Sequence, residues 1–68
     1  MSYAYIINGA MRSIRLDNTG SIFLGIAGSY VFIGKQNGRT LKAALESILA
    51  DEFGPAMVAA ASKSHNAD

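Results

Sequence analysis

One segment, residues 40–53, constrains the fold most, because its apolar residues recur with the period of a helix that buries one face. Those residues are Leu41, Ala44, Leu45, Ile48, Leu49 and Phe53. Thr40 is a good N-cap, and Gly54-Pro55 supplies a C′ glycine followed by a residue that cannot extend a helix. We therefore expect one amphipathic helix, and the rest of the chain must provide the apolar surface that it covers.

Four short stretches before the helix are rich in β-branched, aromatic and other apolar residues, which is typical of strands. They are residues 3–7, 12–17, 21–26 and 30–33, and short turns separate them, beginning with Asn8-Gly9. The order predicts an α+β fold, a four-stranded antiparallel β-meander (ββββ) followed by one amphipathic helix packed on one sheet face. Pro55 is also suited to begin a second, short helix over residues 55–63. We expect residues 1–61 to form a single small domain and residues 62–68 a flexible C-terminal tail.

Two of the predicted strands, residues 21–26 and 30–33, are apolar on both sides. Strands without a polar face are typical of sheets covered on both faces, yet one helix covers only one face. The second face therefore needs another layer, which a second copy or a partner protein would supply. The alternation leaves open which face meets the helix, because both faces of these strands are apolar.

The size and composition of the chain exclude several classes of protein. A domain of 68 residues buries a small share of its surface and is marginally stable, and the usual additional sources of stability are disulfides, metals or oligomerisation. The chain has no cysteine, and its single histidine, His65, cannot build a metal site alone. Oligomerisation remains, and with half of the residues hydrophobic it predicts a homodimer. The lack of a catalytic constellation predicts a protein that is not an enzyme and uses no cofactor or metal.

No stretch of the sequence has the length and hydropathy of a membrane span. The longest uncharged run, residues 18–34, is broken by glycine and serine and is shorter than the roughly 20 apolar residues that a span needs. The first residues also lack the basic segment of a secretory signal. We therefore expect a cytoplasmic protein that makes no contact with a membrane.

The aromatic residues, five on the predicted strands and one on the helix, either belong to the core or form a binding surface. We expect Phe23, Phe32 and Phe53 to be core residues, and Tyr3, Tyr5 and Tyr30 to keep one edge in water. Basic residues cluster in the same part of the chain, because residues 1–42 hold five of the six basic residues and one of the five acidic ones.

Six residues are predicted to contact a partner, four on the sheet and two near the helix start. Tyrosine and arginine are enriched at interface hot spots, and basic side chains beside a helix N-terminus attract anions. The six are Tyr3, Tyr5, Arg12, Arg15, Lys35 and Arg39. We expect a small non-enzymatic regulator, an adaptor or inhibitor of phage or mobile-element type, that occupies a partner protein's surface. One alternative is a nucleic-acid-binding regulator that uses the basic strand half. Another is a purely structural subunit that assembles through strand edges.

Overall fold

The structure, a computed structural model, describes residues 1–55 and 57–61, apart from the side chains of Phe53 and Ala60. It confirms the α+β architecture, an antiparallel sheet with one helix across one face. The strands are β1 (Ser2–Ile7), β2 (Ala10–Leu16), β3 (Ser21–Ile26), β4 (Ser29–Lys35) and β5 (Val58–Ala60), and helix α1 spans Leu41–Phe53. Their order across the sheet is β4-β3-β2-β1-β5. The predicted tail, residues 62–68, lies outside the described residues.

The core lies between α1 and one face of the sheet. Ile14 and Ile22 of the sheet and Leu45 of α1 are fully buried there. The register pairs Ile14 with Leu24 and Ile22 with Leu16, so these side chains share the face that meets the helix. Burial of this apolar surface is the main stabilising contribution in a domain of this size.

Helix α1 begins and ends where the sequence predicts. The Thr40 hydroxyl accepts a hydrogen bond from the Ala43 N–H at 3.1 Å, which satisfies one of the free donors of the first turn. Gly54 follows the helix with φ of 82°, and its N–H donates to the Ala50 carbonyl. Among the described residues, no helix has the length and apolar character needed to cross a membrane. The cytoplasmic location stays a prediction.

Two-residue turns join β1 to β2 and β3 to β4, and both residues of each turn have positive φ. The angles are 51° and 87° at Asn8 and Gly9, and 51° and 83° at Ala27 and Gly28. These are type I′ turns, whose twist matches that of the flanking strands. Asparagine and glycine adopt this conformation at little cost, whereas the Cβ of Ala27 makes it unfavourable. The β3–β4 hairpin therefore contains one strained position.

Asp17 organises the connection between β2 and β3. Its Oδ1 accepts hydrogen bonds from the N–H groups of Thr19 and Ser21, each at 2.9 Å, and from the Thr19 hydroxyl at 2.7 Å. The Thr19 hydroxyl is the largest cause that holds the pKa of the Asp17 carboxyl below its ordinary value, and the Ser21 N–H is the next. The ionised carboxylate is thus the form that fits this turn.

Gly34 allows α1 to approach β4 closely. The strand register shifts between Ile22 and Phe23, and Gly34 has φ of 155° at this irregularity. A Cβ at Gly34 would lie 2.6 Å from Cδ1 of Ile48 on the helix. Glycine is therefore required here both by the backbone conformation and by the space left beside the helix.

The prediction of a second short helix over residues 55–63 is wrong, because residues 58–60 form β5. This strand pairs antiparallel with β1, with Val58 opposite Ile7. It gives hydrogen-bond partners to β1, and Val58 is buried in the core. The helix propensity of an alanine-rich segment is a weak preference by comparison, and tertiary pairing overrides it.

Candidate functional site

The sheet face turned away from α1 carries aromatic and other apolar side chains that no described helix or strand covers. We call it the outer face and define it by the residues that the register and strand alternation place together. They are Ile6, Met11, Ser13, Arg15, Phe23, Tyr30 and Phe32. Met11 is 69% exposed, Phe32 54% and Tyr30 38%. Contiguous exposed apolar surface of this kind marks interaction sites in soluble domains.

The aromatic side chains of the outer face hold defined positions. The Phe23 and Phe32 rings meet edge to face, with centroids 5.8 Å apart. The Tyr30 hydroxyl and the Ser13 hydroxyl share a hydrogen bond of 2.7 Å. The Arg15 guanidinium carbon lies 4.3 Å from the centre of the Tyr30 ring. These contacts orient the exposed groups before any partner arrives.

A glycine in β3 makes room for the Tyr30 ring. A Cβ at Gly25 would lie 3.3 Å from Ser13 Cβ, which is tighter than ordinary contact, and 3.4 Å from Tyr30 Cε1, at the limit of ordinary contact. Gly25 also lies directly opposite Tyr30 in the register. The ring therefore lies low across the sheet and reaches the β2 side chains.

Positive charge accompanies these aromatic groups at two places. Arg15 lies opposite Phe23, and Lys35 lies at the end of β4 opposite Ser21. Both side chains are exposed. The arrangement can bind an apolar or aromatic surface through its rings and a carboxylate or phosphate through its cations.

The four sheet residues predicted to contact a partner lie on two different faces. Tyr3 pairs with Ile14, and Tyr5 pairs with Arg12, which places these side chains on the helix side of the sheet. Burial there raises the pKa of the Tyr5 hydroxyl, and the neighbouring Tyr3 adds to the shift. Of these four, only Arg15 lies on the outer face. Arg12 and Arg15 are three positions apart, and side chains in a strand alternate with a period of two.

The two predicted contact residues near the helix start behave differently from each other. Arg39 donates from Nε to the Gln36 carbonyl at 3.0 Å and from a terminal nitrogen to the Lys35 carbonyl at 2.9 Å. These bonds close the loop that precedes α1, so they give Arg39 a structural role. Lys35 remains exposed at the edge of the outer face.

Sequence reasoning missed Phe23 and Phe32, because both were expected in the core and both lie on the outer face. The side chain of Phe53, the third expected core aromatic, lies outside the described part of the chain. Tyr30 was correctly expected to keep an exposed edge. A signal was present in residues 21–26, where Ile22, Leu24 and Ile26 share one side and only Phe23 is large on the other. The side with more large apolar residues meets the helix, and the register then places Phe32 on the same outer face as Phe23.

A cleft of about 420 Å³ lies on the helix side of the sheet, between α1 and the ends of the two hairpins. Its walls are mainly apolar, from Ile7, Leu24, Ile26 and Leu49, with Arg12 beside them. Arg12 therefore belongs to this cleft, on the opposite side of the sheet from Arg15.

Comparisons with models of known protein families, with curated proteins and with solved structures found no match. Function is therefore inferred from the placement and chemistry of the side chains alone.

Proposed function

We propose that the protein is a small non-enzymatic regulator, an adaptor or inhibitor that binds another protein through the outer face, and that it acts as a homodimer. The observation that carries this proposal is the exposure of Met11, Tyr30 and Phe32 beside Arg15 on one uncovered sheet face. Aromatic residues, methionine and arginine are the types enriched in the buried centres of protein interfaces.

The fixed positions of Tyr30 and Arg15 favour this role. Binding costs free energy when flexible side chains must be ordered, by roughly 0.5–1.5 kcal/mol for each long side chain. The Ser13 hydrogen bond and the stacked Arg15 already restrict Tyr30, so less of this cost remains. The matching partner surface is apolar and presents a carboxylate to Arg15.

The test uses two arginines on the same strand, one on each face. Arg15→Glu and Met11→Glu change the outer face, whereas Arg12→Glu changes the helix side and is the matched control. Proteins captured from nuclease-treated host lysate by the tagged wild-type protein are identified, and their dissociation constants with each variant are measured. We expect both outer-face variants to weaken binding at least about tenfold, roughly 1.4 kcal/mol, and Arg12→Glu to leave it within about twofold.

Two results would contradict this proposal. One is capture of the same partners by Arg15→Glu and Met11→Glu with unchanged affinity. The other is loss of binding in Arg12→Glu with a wild-type circular dichroism spectrum, which would move the site to the cleft beside α1.

The second candidate function is binding of single-stranded nucleic acid. It is favoured by one observation, the presence of Phe23, Phe32 and Tyr30 on the same face as Arg15 and Lys35. Bases stack on exposed aromatic rings of such sheets while cations contact the phosphates. With two phosphate contacts, the logarithm of the binding constant for a labelled single-stranded oligonucleotide should fall with the logarithm of the salt concentration with a slope of about −1.4. The protein-binding proposal expects no saturable oligonucleotide binding.

A further inference from the structure

Most of the free edge of β4 lacks the features that usually protect a sheet edge. Among the described residues, no strand pairs with its outer side, because β4 is the last strand of the sheet. The opposite edge is formed by β5, which has only three residues. Proteins protect edges with short strands, charges, proline or β-bulges. β4 has seven residues, no proline and a single charge at its end, Lys35. Its register irregularity follows Phe32 and leaves Tyr30 to Phe32 in regular pairing with β3.

The outward backbone groups of this edge belong to Tyr30 and Phe32. The two-residue turn makes Ser29 bond to Ile26 of β3. Hydrogen bonding alternates along an antiparallel pair, so Val31 also bonds to β3. The N–H and C=O groups of Tyr30 and Phe32 therefore point away from β3. The two residues whose backbone is free to pair are also two of the most exposed aromatic residues.

We propose that a second copy of this chain pairs antiparallel with β4 around a two-fold axis through Val31. Tyr30 of each copy then lies opposite Phe32 of the other. This register pairs every outward N–H and C=O of these two residues in both copies. A register centred on Tyr30 would place Phe32 opposite the turn residue Gly28 of the other copy. A register centred on Phe32 would place Tyr30 opposite Gly34, where the strand is irregular. Either register therefore leaves one of the two residues without a regular strand partner.

In the same register, the side chains of β4 in one copy are compatible with those they face in the other copy. Val31 is 46% exposed and faces Val31 of the other copy in a pair without mutual hydrogen bonds, the closer type, with Cα atoms about 4.5 Å apart. On the outer face, Tyr30 and Phe32 of both copies form one aromatic cluster. Lys35 falls opposite Ala27 of the other copy, beyond the paired segment, so like charges do not meet. This self-match identifies a second copy as the occupant.

This inference deepens the proposed function, because it supplies the geometry of the homodimer in that proposal. Joining the two sheets would make the outer faces continuous across the dimer. The edge contact uses Val31 and the backbone groups and rings of Tyr30 and Phe32, all on β4, whereas partner binding is tested at Met11 and Arg15 on β2. Failure of one proposal can therefore be observed independently of the other.

The absence of cysteine from the sequence allows a direct test of the register. Val31→Cys should form a disulfide between two copies under mild oxidation, because the expected Cα separation fits disulfide geometry. Ile26→Cys is the matched control, since Ile26 is equally exposed but lies on β3 rather than at the edge. Arg15→Glu in the Val31→Cys background should leave the disulfide yield unchanged.

A charge exchange at the same position tests the dimer without a covalent bond. Val31→Lys and Val31→Glu should each sediment as monomers, because like charges face each other across the axis, and their equimolar mixture should sediment as a dimer. Val31→Thr should remain dimeric. The proposal is overturned if wild-type protein is monomeric over the whole concentration series and Val31→Cys cross-links no faster than Ile26→Cys. It is also overturned if the Lys and Glu variants, each with a wild-type spectrum, fail to pair when mixed.

Discussion

Ala27 is the only residue other than glycine and asparagine with a positive φ among the described residues. The left-handed conformation costs an L-residue with a plain Cβ about 1–2 kcal/mol, and asparagine tolerates it better. We expect Ala27→Asn to raise the free energy of unfolding by about 0.5–1 kcal/mol, measured by urea titration. Ala50→Asn is the control, because asparagine in the exposed last turns of α1 should lower stability instead. If Ala27→Asn does not raise the free energy of unfolding, the turn is not strained at this position.

Gly34 offers a second test of local backbone and packing. Gly34→Ala should lower the free energy of unfolding by about 2 kcal/mol, because it adds a Cβ at an unfavourable φ and against Ile48. Gly38→Ala provides the reference, since Gly38 also has positive φ but nothing within 4 Å of the added Cβ. Ile48→Val removes Cδ1, so it should lower the free energy of unfolding less in the Gly34→Ala background than in wild type. Purely additive effects in this double-mutant cycle would rule out the steric part of the explanation.

Asp17 should make stability depend on acid pH. Its pKa is lowered in the folded state, so its contribution is present above the ordinary carboxyl pKa and is lost as pH falls through the lowered value. We expect urea midpoints to fall more steeply below about pH 4 in wild type than in Asp17→Asn, which keeps an acceptor oxygen but does not ionise. Parallel pH profiles for the two proteins would show that the Thr19 and Ser21 contacts do not favour the ionised form.

The candidate site shows where prediction from single residues fails. Tyr5 was expected at a partner surface and packs against the core, whereas Phe32 was expected in the core and is exposed. Residue type does not separate these cases, because both aromatic side chains suit either environment. The outcome depends on which side of each strand meets α1, and that is a property of the assembled sheet.

At the level of single elements, β5 depends on Asn8 of the first hairpin turn. The Asn8 side chain accepts a hydrogen bond from the Met57 N–H at 3.0 Å, and the Asn8 N–H donates to the Met57 carbonyl at 2.9 Å. Asn8→Gly keeps the turn conformation and the backbone bond but removes the side-chain acceptor. We expect hydrogen exchange of the Ala61 amide, which bonds to Ala4 across β1 and β5, to become about fivefold faster.

Asn8→Asp is the control for this change, because it retains the acceptor oxygen. Its Ala61 exchange rate should stay close to that of wild type. Equal acceleration in the glycine and aspartate variants would indicate that the backbone pairing alone holds β5.

The elements that the sequence predicts well are those whose signals are local. Thr40 and Gly54 bound α1 because each acts on the helix turn beside it. The strand meander follows from turn residues such as Asn8 and Gly9. Residues 58–60 form a strand only because β1 has an unpaired side, and that condition is set by residues far away in the sequence.

For the whole molecule, the proposed dimer links stability to protein concentration. Dissociation accompanies unfolding of a dimer, so its thermal midpoint should rise with concentration. We expect such a rise in wild type and in Val31→Thr, and a constant midpoint in Val31→Lys. The measurement is differential scanning fluorimetry over a hundredfold dilution series, which changes the free energy of association by roughly 2.7 kcal/mol. A constant midpoint in all three proteins would contradict association through β4.

The apolar pattern of the strands predicts that something must cover the second sheet face, but it does not identify that face. Residues 21–26 and 30–33 are apolar on both sides, so their pattern is compatible with either face meeting the helix. The structure resolves this ambiguity, and it separates Arg12 from Arg15, which were both predicted to contact the partner. The apolar content of a strand can be predicted from its sequence. The position of an exposed apolar patch depends on how the strands pair, and so it cannot be predicted in the same way.

The pairing of Tyr5 with Ala60 also has a consequence for the order of folding. Strands β1 to β4 pair with their neighbours in sequence, and such local contacts form quickly. β1 gains its second neighbour only when residues 58–60, far away in the sequence, reach it. A folding intermediate that lacks β5 therefore presents both edges of its sheet as open templates, and it is the form of the chain most prone to misassembly with other chains.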